Sequence, residues 1–258
     1  MDIISLVNRD FIKAQLKEGK RIDGRGFDDV RDLEITTGLI GTAEGSALVK
    51  LGNTKILVGV KLAVDKPFPD TPDEGILITN AELRPAASPT FEQGPPNPEA
   101  IEFARVVDRG IREGQTVDLK KLCITEGEKV WIVFLDIHVL DYDGNLFDAG
   151  NYGAVSALLN AKVPEHEGRE SFDMPVLHTP VSCTFAKIDD SLLIDPGLEE
   201  ESVADARLTV VLDEEKSIRA MQKGLEGSFK RDEIKEMIDR ASRKSEEIRK
   251  KIDQRVKL

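Results

Sequence analysis

The chain has 258 residues and a formal net charge of -12 at pH 7, with 40% hydrophobic and 33% charged residues. That is enough apolar material for one large domain or two small ones, and 20 Gly with 12 Pro is too little for a collagen-like or low-complexity chain. The longest apolar run, Val130 to Leu135, is far short of the ~18 residues a membrane span needs. The charged amino terminus does not read as a signal peptide, so the expectation is a cytoplasmic protein without membrane contact.

Apolar residues at 3, 4, 6, 7, 11, 12, 14 and 16 predict an opening helix, and Gly19 stops it. The basic segment Lys20 to Gly26 reads as a loop. Ser46 to Leu51 and Thr54 to Val64 are β-branched runs joined by Gly52-Asn53, a hairpin signal. Ile76 to Leu83 reads as a further strand. Arg84 to Pro98 holds five prolines and reads as an ordered loop. Asn97-Pro98-Glu99 predicts a helix start, because Asn caps, Pro suits the first helical position and Glu favours the positive end of the dipole. This helix runs to about Arg112 and ends at Gly114.

Lys129 to Leu140 is nearly continuous in apolar residues and predicts a strand buried on both faces. A turn at 141–145 leads into a helix over about Leu146 to Leu159, rich in Ala and Gly and therefore closely packed. Ser182 to Ile188 and Ser191 to Ile194 read as a hairpin turning at Asp189-Asp190, and Arg207 to Leu212 as one more strand. Asp213 is expected to cap a helix ending at Gly224. A final helix, Lys230 to about Asp253, carries an apolar stripe including Ile234, Met237, Ile238, Ala241, Ile248 and Ile252. Hairpins dominate over βαβ units, so the pattern predicts a two-layer α/β (α+β) fold built from two related subdomains, about 20–165 and 170–258, within one domain.

Chemistry-bearing residues are few. Cys123 and Cys183 are the only cysteines, which excludes a disulfide framework or a CxxC zinc site and leaves two buried thiols as the expectation. His138, His166 and His178 form no metal-binding pair. Neither GxxxxGK[ST] nor GxGxxG occurs, which argues against a nucleotide-using small-molecule enzyme. No cofactor is expected. An acidic chain binds nucleic acid only where basic charge is local or supplied by a partner. Arg105, Arg109 and Arg112 provide one local candidate, at i, i+4 and i+7 on one helix face. Three guanidinium forks in line suit successive phosphates, and Glu102, Asp108 and Glu113 stand near enough to neutralise them. Arg21 and Arg25 suit RNA, a neighbouring subunit or plain solvation. Arg84 suits an interface, or a pair with Glu82 or Glu92.

Four segments in one order, RIDGRG (21–26), GSALVKLGNTKILVGVK (45–61), RVVDRGIR (105–112) and WIVFLDIHVLDYDGNLFDA (131–149), resemble the RNase PH family of phosphorolytic exoribonucleases, over roughly Gly19 to Leu212. More narrowly, they resemble the non-catalytic RNase PH-like subunit of the archaeal exosome ring. The resemblance implies the RNase PH-like fold (ribosomal protein S5 domain 2-like). It also implies a hexameric ring of three heterodimers with a catalytic RNase PH-like partner, a cap of S1- or KH-containing subunits, and single-stranded RNA degraded 3′ to 5′ on the partner.

In active members the loop before the second helix reads Asp-Gly-Gly-Thr/Ser-Arg. Its glycine, hydroxyl, helix amides and arginine hold inorganic phosphate. Here the loop is Asp143-Gly144-Asn145-Leu146-Phe147-Asp148, with Leu146 and Phe147 in place of hydroxyl and arginine and a further negative charge at Asp148. The chain is therefore expected not to run phosphorolysis with its own pocket. Asp195 and Glu201 match a carboxylate pair that serves active members as general acid or magnesium ligand. Without the phosphate loop they read as a charged turn, and no metal is expected. Arg105 and Arg109, with Arg112 less closely matched, stand where the resemblance places arginines holding RNA phosphates. The alternative is a self-sufficient phosphate- or metal-dependent exoribonuclease using Asp195 and Glu201.

Overall fold

In the computed structural model, which describes residues 3–256 and side chains over 9–254, both predicted hairpins form in the expected place. The first helix, α1 (Ile3–Lys17), ends beside Gly19. The apolar positions 3, 4, 6 and 7 that helped to predict it lie outside the described side chains. Strands β1 (Leu33–Thr37), β2 (Gly45–Leu51) and β3 (Thr54–Asp65) form an antiparallel meander, with Gly52 at φ +58° in the turn. Next come β4 (Ile76–Leu83), α2 (Pro98–Glu113), a 3-10 turn (Leu119–Leu122), β5 (Cys123–Thr125) and β6 (Lys129–Asp141). The first sheet has the order β1-β2-β3-β6-β4, with β4 parallel to β6 and β5 also paired to β6.

Helix α3 (Leu146–Leu159) is followed by the short pair β7 (Lys162–Val163) and β8 (Phe172–Asp173). The second sheet uses β9 (Val181–Ile188), β10 (Ser191–Ile194), β11 (Ala206–Leu212) and β12 (Ile218–Gly224), in the order β10-β9-β11-β12. Between β10 and β11 lies α4 (Leu198–Val203), and α5 (Arg231–Val256) closes the described chain. Helices α2, α3 and α5 each touch strands of both sheets.

Helix α3 shows why its composition matters. Every residue but the last is buried. A Cβ on Gly150 would come within 2.5 Å of the Phe103 ring, and one on Gly153 within 2.7 Å of Val58. Only a helix without side chains at these positions fits against α2 on one side and β3 on the other.

Two expectations need correction. The segment after Asp213 is not a helix but the edge strand β12. Lys216 turns left-handed at φ +65°, and the Asp213 carboxylate accepts from Ser217 N at 2.8 Å and Arg219 Nε at 2.6 Å, closing a β11–β12 hairpin. Arg219, Ala220, Met221, Gln222 and Lys223 are good helix formers, but pairing with β11 overrides propensity. Strand β6 is buried on both faces only over Val130–Val133. From Phe134 onward it alternates, with Phe134, Asp136 and His138 half-buried. Of the thiols, Cys183 is buried and Cys123 only half-buried.

Candidate functional site

The loop between β6 and α3 is the meeting point of three chain segments. Gly144 takes φ +86°, and a Cβ there would lie 2.6 Å from the backbone of Gly197, so the loop and the start of α4 touch backbone to backbone. Thr54 ties the loop from below, accepting from Asp143 N at 3.1 Å and donating to Gly144 O at 2.7 Å. Asn145 caps α3 from a left-handed conformation at φ +53°. Its backbone N–H donates to Glu201 Oε1 at 2.9 Å, and Tyr142 Oη donates to Glu201 Oε2 at 3.0 Å. A protein carboxylate therefore already sits on the amino-terminal end of α3, where the dipole favours an anion.

The residues standing in place of a hydroxyl and an arginine fill the rest. Leu146 and Phe147 are buried. Phe147 meets Phe103 edge-on and carries the Arg207 guanidinium 4.1 Å above its ring. Arg207 in turn holds Glu102 at 2.6 Å. A space of about 40 Å³ beside Phe147 is faced by Glu99, Glu102 and Glu201 against the one guanidinium, and a cavity of about 270 Å³ shares Glu99, Tyr142, Glu201 and Arg207 with it. Three acidic side chains against one guanidinium disfavour phosphate by charge.

Asp148 differs from expectation. It does not add charge to the loop's mouth. Its carboxylate turns inward and accepts from Asn145 Nδ2 at 2.8 Å, Thr184 N at 2.8 Å and Thr184 Oγ1 at 2.8 Å, pinning α3 to β9. Burial pushes its pKa up, against these hydrogen bonds.

Asp195 is 1% exposed and is a structural hub. It is left-handed at φ +49°. Its carboxylate accepts from Arg31 Nη2 at 2.8 Å, Arg31 Nε at 3.0 Å, Arg31 N at 2.8 Å, Arg25 Nη1 at 3.0 Å and Asn145 Nδ2 at 2.7 Å. Burial alone would raise its pKa, but the hydrogen bonds and charge of Arg31, with Asn145, hold it below the usual carboxylate value. With its oxygens so engaged, Asp195 presents no open face to a metal, and among the described residues no trio of His, Cys, Asp or Glu side chains converges for one.

The basic loop of the amino-terminal half is part of the same hub. Arg21 is buried and pairs with Glu200 at 2.5 Å, while its Nη2 donates to Asp195 O at 3.0 Å. Arg21 is thus no solvated residue, and the half-buried Arg25 is tied to the same junction through Asp195 and Asp23. Arg84 pairs with Glu82.

Glu201 carries a testable consequence. Desolvation outweighs its hydrogen bonds and raises its pKa from 4.5 to about 7. A carboxyl whose folded pKa is raised contributes most while protonated. Its share of the stability is whole below about 4.5, declines as pH rises toward 7 and is level above. Glu201→Gln keeps the shape and removes the charge. Its melting temperature is expected to match the parent at pH 4.5 and exceed it at pH 8. A constant difference across that range would show that Glu201 does not titrate there.

The arginine face lies on α2, capped as predicted by Asn97 Oδ1 accepting from Ala100 N at 2.8 Å. The structure separates the three arginines. Arg112 is bound: Asp108 accepts from its Nε at 3.0 Å and its Nη2 at 2.9 Å, and Leu77 O accepts from Nη2 at 2.8 Å. It is thus turned toward β4. Arg105 and Arg109 are exposed and line one groove of about 420 Å³ with Pro98, Ile101, Glu102, Val106 and Gln222. Glu102, an expected neutraliser, is committed to Arg207 instead. The basic feature is therefore a pair, not a triad. Gln222 and Arg207 escaped the sequence reading, since both lie on the second sheet and only the fold brings them to α2.

The chain belongs to the 3′ exoribonuclease (RNase PH) family: domain 1 matches over residues 29–164 and domain 2 over residues 178–244. Among its relatives, it is 53% identical to exosome complex component Rrp42 of Thermococcus gammatolerans, over 97% of this chain and 95% of the relative. A chain of the Archaeoglobus fulgidus exosome with RNA bound to the active site superposes with a TM-score of 0.94 at 50% identity, covering 97% of this chain and 99% of the other. A chain of an archaeal exosome core gives 0.90 at 45% identity, covering 97% and 98%.

Proposed function

We propose that this chain is an exosome ring subunit that holds RNA and does no chemistry itself. The observation that carries the reading is Glu201 seated on the amino-terminal end of α3, above a loop plugged by Leu146 and Phe147. Phosphorolysis needs an inorganic phosphate poised as nucleophile. Here a carboxylate of the chain occupies the helix end that would hold it, and the neighbouring charge is mostly negative. The relatives named as exosome components support the assembly.

In this reading the subunit alternates with a catalytic RNase PH-like partner in a ring of three heterodimers, beneath a cap of S1- or KH-containing subunits. Its α2 faces the partner's active site. Arg105 and Arg109 hold backbone phosphates of single-stranded RNA while the partner cleaves from the 3′ end. Such contacts fix position and carry no sequence information.

The test is RNA degradation with and without inorganic phosphate by the chain alone, the catalytic partner alone and the two mixed. Full activity is expected only in the mixture with phosphate. Release of nucleoside diphosphates by the chain alone would overturn the proposal and restore the self-sufficient exoribonuclease.

A further inference from the structure

Arg105 and Arg109 differ in how they are held. Arg105 makes no hydrogen bond or ion pair among the described residues. Arg109 Nη1 donates to Gln222 Oε1 at 3.1 Å, its one side-chain partner among them. Gln222 lies on the edge strand β12, paired with Thr209 of β11, and its own amide nitrogen donates weakly to Lys223 O at 3.4 Å.

The chemistry of that partner matters. An exposed guanidinium on a helix has several rotamers to lose when it binds a phosphate. A carboxylate acceptor would fix it but would also cancel the charge the phosphate needs, as Asp108 does for Arg112. An amide oxygen orients the fork through one hydrogen bond and leaves the charge whole. Two of the three acidic side chains near the pair on α2 are committed elsewhere, Glu102 to Arg207 and Asp108 to Arg112 and Thr79, while the third, Glu113, is exposed and makes no hydrogen bond or ion pair among the described residues. The groove thus combines an Arg109 whose one hydrogen-bond partner is neutral with an Arg105 that has none among the described residues.

We propose that Gln222 is a positioning residue for RNA, holding the Arg109 guanidinium toward the groove by a neutral hydrogen bond. This rests on the reading that Arg109 contacts RNA phosphate. It adds a residue from the second sheet to a binding face otherwise built on α2, so the geometry of β12 sets the aim of an α2 side chain.

The test uses the ring reconstituted from this chain and its catalytic partner, with a fluorescein-labelled single-stranded oligoadenylate, and reads affinity by anisotropy at several salt concentrations. The variants are Gln222→Glu, Gln222→Ala and Arg109→Ala, with each Gln222 change repeated in the Arg109→Ala background. Gln222→Glu is expected to weaken binding about three- to tenfold, the range of one hydrogen bond. It should also flatten the slope of log K against log salt by up to ~0.7, one phosphate contact on a single strand. Gln222→Ala is expected to weaken binding with the slope kept, since the charge remains. Both effects should vanish in the Arg109→Ala background, a dependence that a purely structural role would not produce. Melting temperatures should stay level, because Gln222 is half-exposed on an edge strand. If Arg109→Ala weakens binding but Gln222→Glu leaves affinity and slope alone, the positioning role is wrong while the RNA reading stands. If Arg109→Ala has no effect, the RNA reading fails and the positioning role with it.

Discussion

Asp195→Asn is expected to destabilise the protein by about 3–5 kcal/mol at pH 7, the cost of leaving a buried charge without its partner. Arg31 is the partner at stake. Its side chain is 10% exposed, and it makes three of the five hydrogen bonds that reach the Asp195 carboxylate. Its other contacts are the backbone carbonyls of Asp143 and Gly144, which orient the fork, and the Asp143 carboxylate at 4.0 Å, a longer and more exposed ion pair than that with Asp195. Asparagine tolerates the left-handed φ of +49° at this position, so this variant removes the charge and the acceptors of one carboxylate oxygen without backbone strain. Asp195→Ala removes every acceptor and adds about 1–2 kcal/mol of backbone cost. At roughly 2–4 °C per kcal/mol for a chain of this size, the Asn variant should melt about 10 °C lower.

The pH dependence has a definite sign. Arg31 and Asn145 outweigh burial and hold the folded pKa of Asp195 below its ordinary value of 3.8. The stabilisation is therefore present above that ordinary value and is lost as pH falls through the lower folded one. The gap between parent and Asn variant should be constant from neutral pH down to about 4 and close below it. A melting difference under about 2 °C at pH 7 would show that the hub contributes little, and the three segments would then need another explanation for their alignment.

How much of this was legible in the sequence follows from the range of each interaction. The β2–β3 and β9–β10 hairpins and the Asn97-capped helix declare themselves locally, through turn residues, a cap and a change of hydrophobic period. The plugged loop was also legible, because Leu146 and Phe147 follow Gly144-Asn145 in one short run. The tenant of the helix end was not. Glu201 reaches Asn145 across 56 positions, and Arg31 reaches Asp195 across 164. A signal did exist: the basic run at 20–26 and the acidic run at 195–201 are complementary, and each carries glycine. Opposite charges on two glycine-bearing loops are a reason to suspect a buried junction before assigning either loop to a ligand. The split among the α2 arginines was illegible for a different reason. Helical spacing gives the face of a residue but not the strand beyond it, and Arg112 is decided by Leu77 O on β4. For β12 the local signal pointed the wrong way, and only pairing with β11 corrected it.

Arg105→Glu with Arg109→Glu is expected to lower RNA affinity of the assembled ring by about a hundredfold, from roughly tenfold for each charged hydrogen bond lost. The slope of log K against log salt should fall by up to ~1.4, two single-strand phosphate contacts. Phosphorolysis by the mixture should slow at subsaturating RNA, with the rate recovering as RNA is raised, because neither arginine touches the reacting phosphate in this reading. The fold should be indifferent. Both side chains are exposed, and the one hydrogen bond lost is that to Gln222. Arg112→Glu is the instructive contrast. Its guanidinium spans Asp108 and Leu77 O, so reversal places a carboxylate beside Asp108 and frees a carbonyl on β4. That variant should lose melting temperature more than RNA affinity. If Arg112→Glu instead matches the double variant in affinity and slope, the three arginines act together on RNA and the contact with Asp108 opens on binding. If the double variant binds RNA as the parent does, the groove on α2 is not the RNA-holding face.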